Sequence, residues 1–143
     1  MRYLTHLGGA RATIGLALVL IALGGTARTA GIAMLVANAS SHLAVQILKR
    51  LVQRPRPCDA TGRPLALVEL PDEFSFPSGH TAAASSVALT LVLTVPVAAL
   101  LAVPLAALVA VSRVTLRVHH ATDVAAGALL GAGGALLAHL LIA

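Results

Sequence analysis

Two histidines, three basic residues and one aspartate carry the chemistry in this sequence. They lie in three short stretches: Lys49 and Arg56; Pro77-Ser78-Gly79-His80; and Arg113, His119 and Asp123. His80 and His119 can each give or take a proton near pH 7. His119 and Asp123 are four residues apart, vertical neighbours on a helix. A carboxylate bonded to one imidazole nitrogen fixes the tautomer and leaves the other nitrogen nucleophilic. Lys49, Arg56 and Arg113 are fixed positive charges that call for an anion, and guanidinium matches phosphate through paired N–H donors.

Pro77 to His80 opens directly into the apolar run Thr81 to Val95. A helix starting near Gly79 turns its first N–H groups and the positive end of its dipole toward the preceding loop, an arrangement that attracts phosphate. Ser78 can cap that helix or donate to an oxyanion, and Gly79 lets a ligand approach the backbone. Taken together, this chemistry is phosphoryl transfer. One imidazole attacks phosphorus and the other protonates the leaving oxygen, while the cations and N–H groups hold the charge on the equatorial oxygens. Plainer uses exist for each part: a helix start with a stray histidine, a capping Asp123, or a His119–Asp123 metal pair with His80 as third ligand. Three nearby cations would repel a divalent ion, so no metal is expected.

These residues must be positioned by apolar helices. The chain has 143 residues, 58% hydrophobic and only 10% charged, with a mean hydropathy of +0.93. A soluble domain of this length would show far more surface charge. The apolar residues fall in blocks that suit membrane spans: Leu16 to Gly25, Gly31 to Ala37, Ala82 to Val111 and Val124 to Ala143. We therefore expect an all-α, polytopic transmembrane helix bundle of about five transmembrane helices, with residues 1–143 forming one domain. The net charge of +5 suits anionic lipid. With 2% aromatic residues and no basic run outside Lys49 to Arg63, nucleic acid is not expected. The single cysteine, Cys58, cannot form an internal disulfide. Arg2, Arg11 and the short apolar run after them resemble a signal peptide, but Arg28 spoils the small-residue site, so a retained first helix is expected.

In chain order, Ile14 to Gly25 reads as the core of a first helix, with a turn at Gly24-Gly25 and Arg28. A second, Thr29 to Val52, carries Asn38, Ser40, Ser41, His42 and Gln46, which must face other helices or a cavity. Pro55 and Pro57 stop it. If it persisted to those prolines, Lys49 and Arg56 would share one face. Cys58 to Phe76 is the only long hydrophilic segment and holds four of the five acidic residues, Asp59, Glu69, Asp72 and Glu73. It reads as an ordered loop or lid, with Phe74-Ser75-Phe76 dipping into the membrane interface. A third helix runs from Gly79 to Val95 and a fourth, interrupted by Pro104, from Val97 to Ser112. The fifth, Ala121 to Ala143, carries Gly127, Gly131, Gly133 and Gly134 for tight packing.

Five spans place all three chemical stretches on the same side of the membrane. Arg113 and His119 are six apart, which is not one face of a straight helix, so a break between them is expected. Arg2, Arg11, Arg50 and Arg63 read as flanking charges that snorkel. Arg54 and Arg117 remain unassigned, and His6, His42, His120 and His139 read as structural or interfacial.

Lys49-x6-Arg56-Pro57, Pro77-Ser78-Gly79-His80 and Ser112-Arg113-x5-His119-x3-Asp123 resemble, in order and spacing, the three signature motifs of the type 2 phosphatidic acid phosphatase (PAP2) family. The resemblance spans the motifs at 49–57, 77–80 and 112–123. It implies that His119 forms a phosphohistidine, that Asp123 orients it and that His80 is the general acid. It further implies that Lys49, Arg56, Ser78, Gly79 and Arg113 bind phosphate, with no metal or other cofactor. Members of the family cleave phosphate or pyrophosphate from phosphatidic acid, phosphatidylglycerophosphate and polyprenyl diphosphates. The expected partner is thus a phosphorylated lipid within the membrane, and a polyprenyl diphosphate is preferred.

Two departures stand out. Many relatives have six spans, and this chain is expected to lack the first. The residues after His119 are often Tyr-Pro; here they are His120-Ala121, which alters the pocket lip but removes no catalytic group. Vanadate-dependent haloperoxidases share the motifs but are soluble, and the continuous apolar spans argue against them. A lipid carrier or scaffold would use the basic cluster without needing His119. A dead phosphatase is disfavoured because every implied catalytic residue is present. Localisation is expected in the cell (inner) membrane, multi-pass. The positive-inside rule points the basic side to the cytoplasm, yet a phosphate-attracting site has its own reason to be basic. The active site is therefore expected to be extracytoplasmic, as in most bacterial members.

Overall fold

Glycines and prolines set the ends of the helices. The computed structural model describes residues 7–70 and 72–142, so Arg2, His6 and Ala143 lie outside the described residues. Five α-helices follow one another: α1 (Ala10–Leu23), α2 (Gly25–Val52), α3 (Gly79–Thr94), α4 (Ala99–Thr115) and α5 (Ala121–Ile142). Gly24 and Gly25 both take positive φ, 76° and 56°. A side chain would strain both positions, and glycine lets α1 turn into α2 with one intervening residue. α2 therefore begins before the expected Thr29 and contains Arg28. At its far end Gln53 adopts the left-handed conformation, its N–H donating to the Lys49 carbonyl at 3.0 Å, and Pro55 and Pro57 follow. Arg56 thus lies beyond the helix and does not share a helical face with Lys49. Pro96 ends α3 and opens a short 3₁₀ turn, Pro96–Ala98. Pro104 sits inside α4 without ending it.

Three of these segments are long and apolar enough to cross a membrane: Gly25–Val52, Pro96–Thr115 and Ala121–Ile142. α1 and α3 are also apolar but have only 14 and 16 residues. At 1.5 Å rise they reach roughly 21 and 24 Å, short of a hydrocarbon core of about 30 Å. The expected all-α bundle is present, with two of its five helices short.

α3 lies at the centre, packed on α2, α4 and α5, while α1 rests on α2. Small residues bring the backbones together. A Cβ on Gly127 would collide with the carbonyl oxygen of Ser78, just before α3, and one on Gly131 with that of Ala82 on α3, while one on Gly134 would lie 2.6 Å from the Ala37 carbonyl on α2. Gly133, expected to share this role, faces open space. Ala33, Ala37, Ala135 and Ala138 form the buried cluster between α2 and α5. Because lipid is as apolar as these side chains, the association gains from close dispersion contacts and interhelical hydrogen bonds. One such bond runs from Ser85 Oγ to the Ala128 carbonyl at 3.0 Å.

The loop from α2 to α3 is ordered by its own polar groups. Asp59 Oδ1 accepts from the Thr61 and Arg63 backbone N–H groups, and isolated bridges join Pro55 to Phe74 and Cys58 to Pro64. The Leu67 N–H donates to the Leu116 carbonyl at 3.1 Å, fastening the loop to the chain after α4. Ser75 is fully buried, its N–H donating to the Arg54 carbonyl and its hydroxyl to that of Pro55. Ser75 therefore folds inward and does not dip into a membrane interface.

Candidate active site

The alternating helices bring the end of α2, the start of α3, the end of α4 and the start of α5 to one end of the bundle. A cavity of about 790 Å³ opens there among α1, α2 and α3, and Lys49, Arg56, Gly79, His80, Arg113 and His119 all line it. Lys49 comes from the last turn of α2. Arg56 comes from the segment between the two prolines, where its Nη1 donates to the Val118 carbonyl at 2.8 Å. Both are 7% exposed, and Arg113 is 3% exposed. Buried charges of one sign need a counter-charge. Asp72 supplies it for two of them: Oδ2 accepts from Lys49 Nζ at 2.6 Å and Oδ1 from Arg56 Nη2 at 2.7 Å. Burial pushes the Asp72 carboxyl up, but the hydrogen bond and charge of Lys49, with those of Arg56, outweigh it and hold the group below the usual carboxylate value.

The chain reverses after Thr115. Arg117 has φ +55°, and the N–H groups of Val118 and His119 both reach the Arg113 carbonyl at 3.3 Å. This is the break required between Arg113 and His119, and it turns both side chains into the cavity.

His119 is 3% exposed, and its Nδ1 lies 2.6 Å from the Ser75 carbonyl oxygen. A carbonyl only accepts, so Nδ1 carries the proton and Nε2 keeps its lone pair. Burial, reinforced by Arg113 and Arg56, pushes the His119 pKa down to about 3, against the opposing pull of Ser75 and Asp123. The ring is therefore neutral at pH 7. Asp123 Oδ2 lies 3.7 Å from Nδ1, outside hydrogen-bond range. The direct partner of the imidazole is the Ser75 carbonyl, where the sequence pointed to the Asp123 carboxylate.

Asp123 is fully buried behind the cavity. Its Oδ1 accepts from Arg54 Nη1 at 2.9 Å, and its Oδ2 accepts from the His120 backbone N–H at 2.8 Å. The second bond runs from the third helical position back to the residue before α5, the reaching-back half of a capping box. The Asp123 carbonyl in turn accepts from the Ser78 N–H at 2.9 Å. Asp123 thereby joins the starts of α3 and α5 to the Arg54 segment. Ser78, also fully buried, places its hydroxyl 3.0 Å from that of Thr81 and does not line the cavity, whereas Gly79 and His80 do. Among the described residues, no group of three or more His, Cys, Asp or Glu side chains converges in a metal-binding arrangement.

Three residues that the sequence did not single out belong to this arrangement: Asp72 between the cations, Ser75 at the imidazole and Arg54 on Asp123. His42, taken as structural or interfacial, lines the cavity. His120 keeps the structural place expected of it, with Nδ1 3.2 Å from Asp123 Oδ2.

The sequence profile of the PAP2 superfamily matches residues 30–143. The decaprenylphosphoryl-5-phosphoribose phosphatase of Mycobacterium tuberculosis H37Rv is 38% identical over 93 residues, which cover 64% of this chain and 50% of that protein. Its counterpart in Mycolicibacterium smegmatis is 34% identical over 88 residues, 61% of this chain and 46% of that protein. The chain thus spans about half the length of these relatives. Among solved structures, a transmembrane PAP2-type phosphatidylglycerolphosphate phosphatase from Bacillus subtilis superposes with a TM-score of 0.79 at 31% identity, covering 98% of this chain and 73% of that one. LpxE of Aquifex aeolicus has the same fold, with a TM-score of 0.79 at 24% identity, covering 97% of this chain and 82% of that one.

Proposed function

The chain belongs to the PAP2 superfamily, and from that premise we propose that it is an integral-membrane lipid phosphatase working through a phosphohistidine without a metal. The substrate phosphate sits among Lys49, Arg56, Arg113 and the start of α3, where fixed charge and N–H groups meet its oxygens. His119 Nε2 attacks phosphorus and the P–O bond to the lipid breaks. His80 gives its proton to the departing oxygen, and the lipid alcohol (or lipid monophosphate, from a diphosphate) leaves. Deprotonated His80 then takes a proton from water, whose oxygen attacks the phosphohistidine; inorganic phosphate departs and His119 is restored. Asp123 acts on His119 by position and charge, and Ser78 through the backbone that sets the start of α3.

The observation that carries this proposal is the Ser75–His119 bond, which leaves a neutral imidazole with Nε2 available beside three cations. A polyprenyl tail is our preference, in keeping with relatives named for a decaprenyl-linked phosphoribose. The test is phosphate release by detergent-purified protein in EDTA from polyprenyl diphosphate, phosphatidic acid and phosphatidylglycerophosphate, beside His119→Ala. Release that survives EDTA and vanishes in the variant supports it. Release that persists in His119→Ala overturns it.

We place the site on the extracytoplasmic face of the inner membrane. Cys58, the only cysteine, is exposed in the loop at the site's end of the bundle. A membrane-impermeant maleimide should label it in intact spheroplasts; labelling only after permeabilisation would put the site in the cytoplasm.

A further inference from the structure

Arg54 meets both neighbours of the His119 ring, one through its backbone and one through its side chain. The Arg54 carbonyl accepts from the Ser75 N–H at 2.8 Å and from the Ser75 hydroxyl at 3.2 Å. Ser75 in turn offers the carbonyl that holds His119 Nδ1. Arg54 Nη1 donates to Asp123 Oδ1 at 2.9 Å and to Thr122 Oγ1 at 2.6 Å. The other Asp123 oxygen is the one that lies 3.7 Å from the ring.

Lys49, Arg56 and Arg113 line the cavity, and Arg54 does not. Its guanidinium is engaged with Asp123, outside the space a phosphate would fill. A buried carboxylate is tolerated only where charge and hydrogen bonds meet it. Besides Arg54, Asp123 has the His120 N–H at 2.8 Å and the rings of His120 and His119 at 3.2 and 3.7 Å. Of these partners, only the guanidinium is charged at every working pH. Without it, His119 Nδ1 is one of the nearest donors left to the carboxylate. The ring would then be drawn from the Ser75 carbonyl toward Asp123, turning Nε2 off its line to phosphorus.

We propose that Arg54 is a positioning residue for the nucleophile, holding Asp123 off the imidazole and Ser75 on it so that His119 Nε2 faces the phosphate. This rests on the lipid phosphatase proposed above. The backbone half of the grip persists in any substitution, so variants at this position read the guanidinium alone.

The test compares wild type, Arg54→Met, Arg54→Lys, Asp123→Asn and the double variant Arg54→Met/Asp123→Asn, each purified as the whole chain in detergent. Turnover is read on whichever of polyprenyl diphosphate, phosphatidic acid and phosphatidylglycerophosphate wild type hydrolyses fastest. Arg54→Met should lower kcat roughly 10- to 100-fold, the cost of about an ångström of misplacement. KM and the Kd of inorganic phosphate should change by less than about twofold, since ground-state binding is untouched. Arg54→Lys keeps a charged nitrogen that can donate to both Asp123 and Thr122, and should retain most of kcat. Because the guanidinium acts through Asp123, the double variant should be no slower than Asp123→Asn alone. It also removes the buried charge that Arg54→Met leaves unpaired, so the comparison survives if Arg54→Met folds poorly. Losses that multiply in the double variant, or a raised KM and phosphate Kd with kcat intact, would overturn the proposal.

Orthovanadate bonds to an aligned imidazole nitrogen and gives a readout free of turnover. Calorimetry should show its Kd raised roughly tenfold in Arg54→Met, as for an analogue that senses the transition-state arrangement. If wild type hydrolyses no lipid, yet vanadate binding depends on Arg54 in this way, the phosphatase function fails and the positioning role stands. Vanadate binding that Arg54→Met leaves unchanged, or that wild type lacks, overturns the positioning role.

Discussion

The carbonyl oxygen of Ser75 lies 2.6 Å from Nδ1 of His119, more than an ångström closer than the Asp123 carboxylate at 3.7 Å. A backbone group that cannot titrate thus sets the tautomer of the candidate nucleophile. Where a carboxylate alone holds a catalytic tautomer, replacing it by an amide costs about 10⁴-fold because the ring can flip its proton. Here the proton stays on Nδ1. We expect Asp123→Asn to lower kcat by roughly 10²-fold, the loss of a charge that stabilises the ring as it becomes cationic, while His119→Ala abolishes turnover. Steady-state kinetics on the two variants decide it. A loss in Asp123→Asn as complete as that in His119→Ala would show that the carboxylate, not Ser75, controls the proton.

Asp72 joins Lys49 and Arg56 through two charge-assisted bonds, and its side chain is 37% exposed. A phosphate dianion offers the same two cations the same kind of acceptor, so carboxylate and phosphate are alternatives for Nζ and Nη2. Asp72→Asn should therefore lower the inhibition constants of inorganic phosphate and orthovanadate roughly tenfold, which corresponds to about 1.4 kcal/mol. It should also lower the melting temperature in anion-free buffer and recover it when phosphate is added. An inhibition constant that rises would mean that Asp72 holds the cations in place for phosphate and does not compete with it.

The cations and histidines that line the cavity were legible because they fall in three motifs of fixed order and spacing at the mouths of apolar helices. The sequence also disclosed the reversal after α4, since Arg113 and His119 could not otherwise share a cavity. Asp72, Ser75 and Arg54 were not legible for a common reason: each acts through a loop whose path depends on contacts far away in the chain. Ser75 contributes a backbone carbonyl, which no residue type advertises. Asp72 is one of four acidic residues in a single segment, and only its bonds to Lys49 and Arg56 distinguish it. The end of α2 at Val52 was legible from the prolines that follow it, but the shared helical face of Lys49 and Arg56 does not form, because Gln53 leaves the helix through a left-handed turn that no glycine announces.

The depressed pKa of His119 makes the fold sensitive to acid in a definite direction. The group sits at about 3 when folded and near its ordinary 6.5 when unfolded. Between those values the unfolded chain binds the extra proton, so stability rises with pH across the window. The contribution is complete above about 6.5 and is lost as pH falls toward 3. Asp72, held below its usual value of 3.8, adds a second loss below that point. Melting of the detergent-solubilised protein should fall between pH 7 and pH 5, and fall less in His119→Gln, which has no proton to gain. Parallel curves for the two proteins would place the acid sensitivity elsewhere.

The glycines of α5 separate packing from propensity within one turn. A methyl group on Gly131 would collide with the Ala82 carbonyl and the backbone N of Ser86, whereas one on Gly133 meets nothing within 4 Å. Overpacking against backbone cannot be relieved by a rotamer change, so Gly131→Ala should push α5 off α3 and cost about 1–3 kcal/mol. The Ser78 carbonyl lies against Gly127 on the same face, one turn nearer the site. The displacement should thus reach the start of α3, where Gly79 and His80 line the cavity, and lower activity together with stability. Gly133→Ala adds the same atom to an open face, where it should be neutral or stabilise the helix by up to about 1 kcal/mol and leave turnover alone. Thermal melting and phosphate release measured on both variants provide the check. Equal effects of the two substitutions would mean that α3 and α5 do not approach through Gly131.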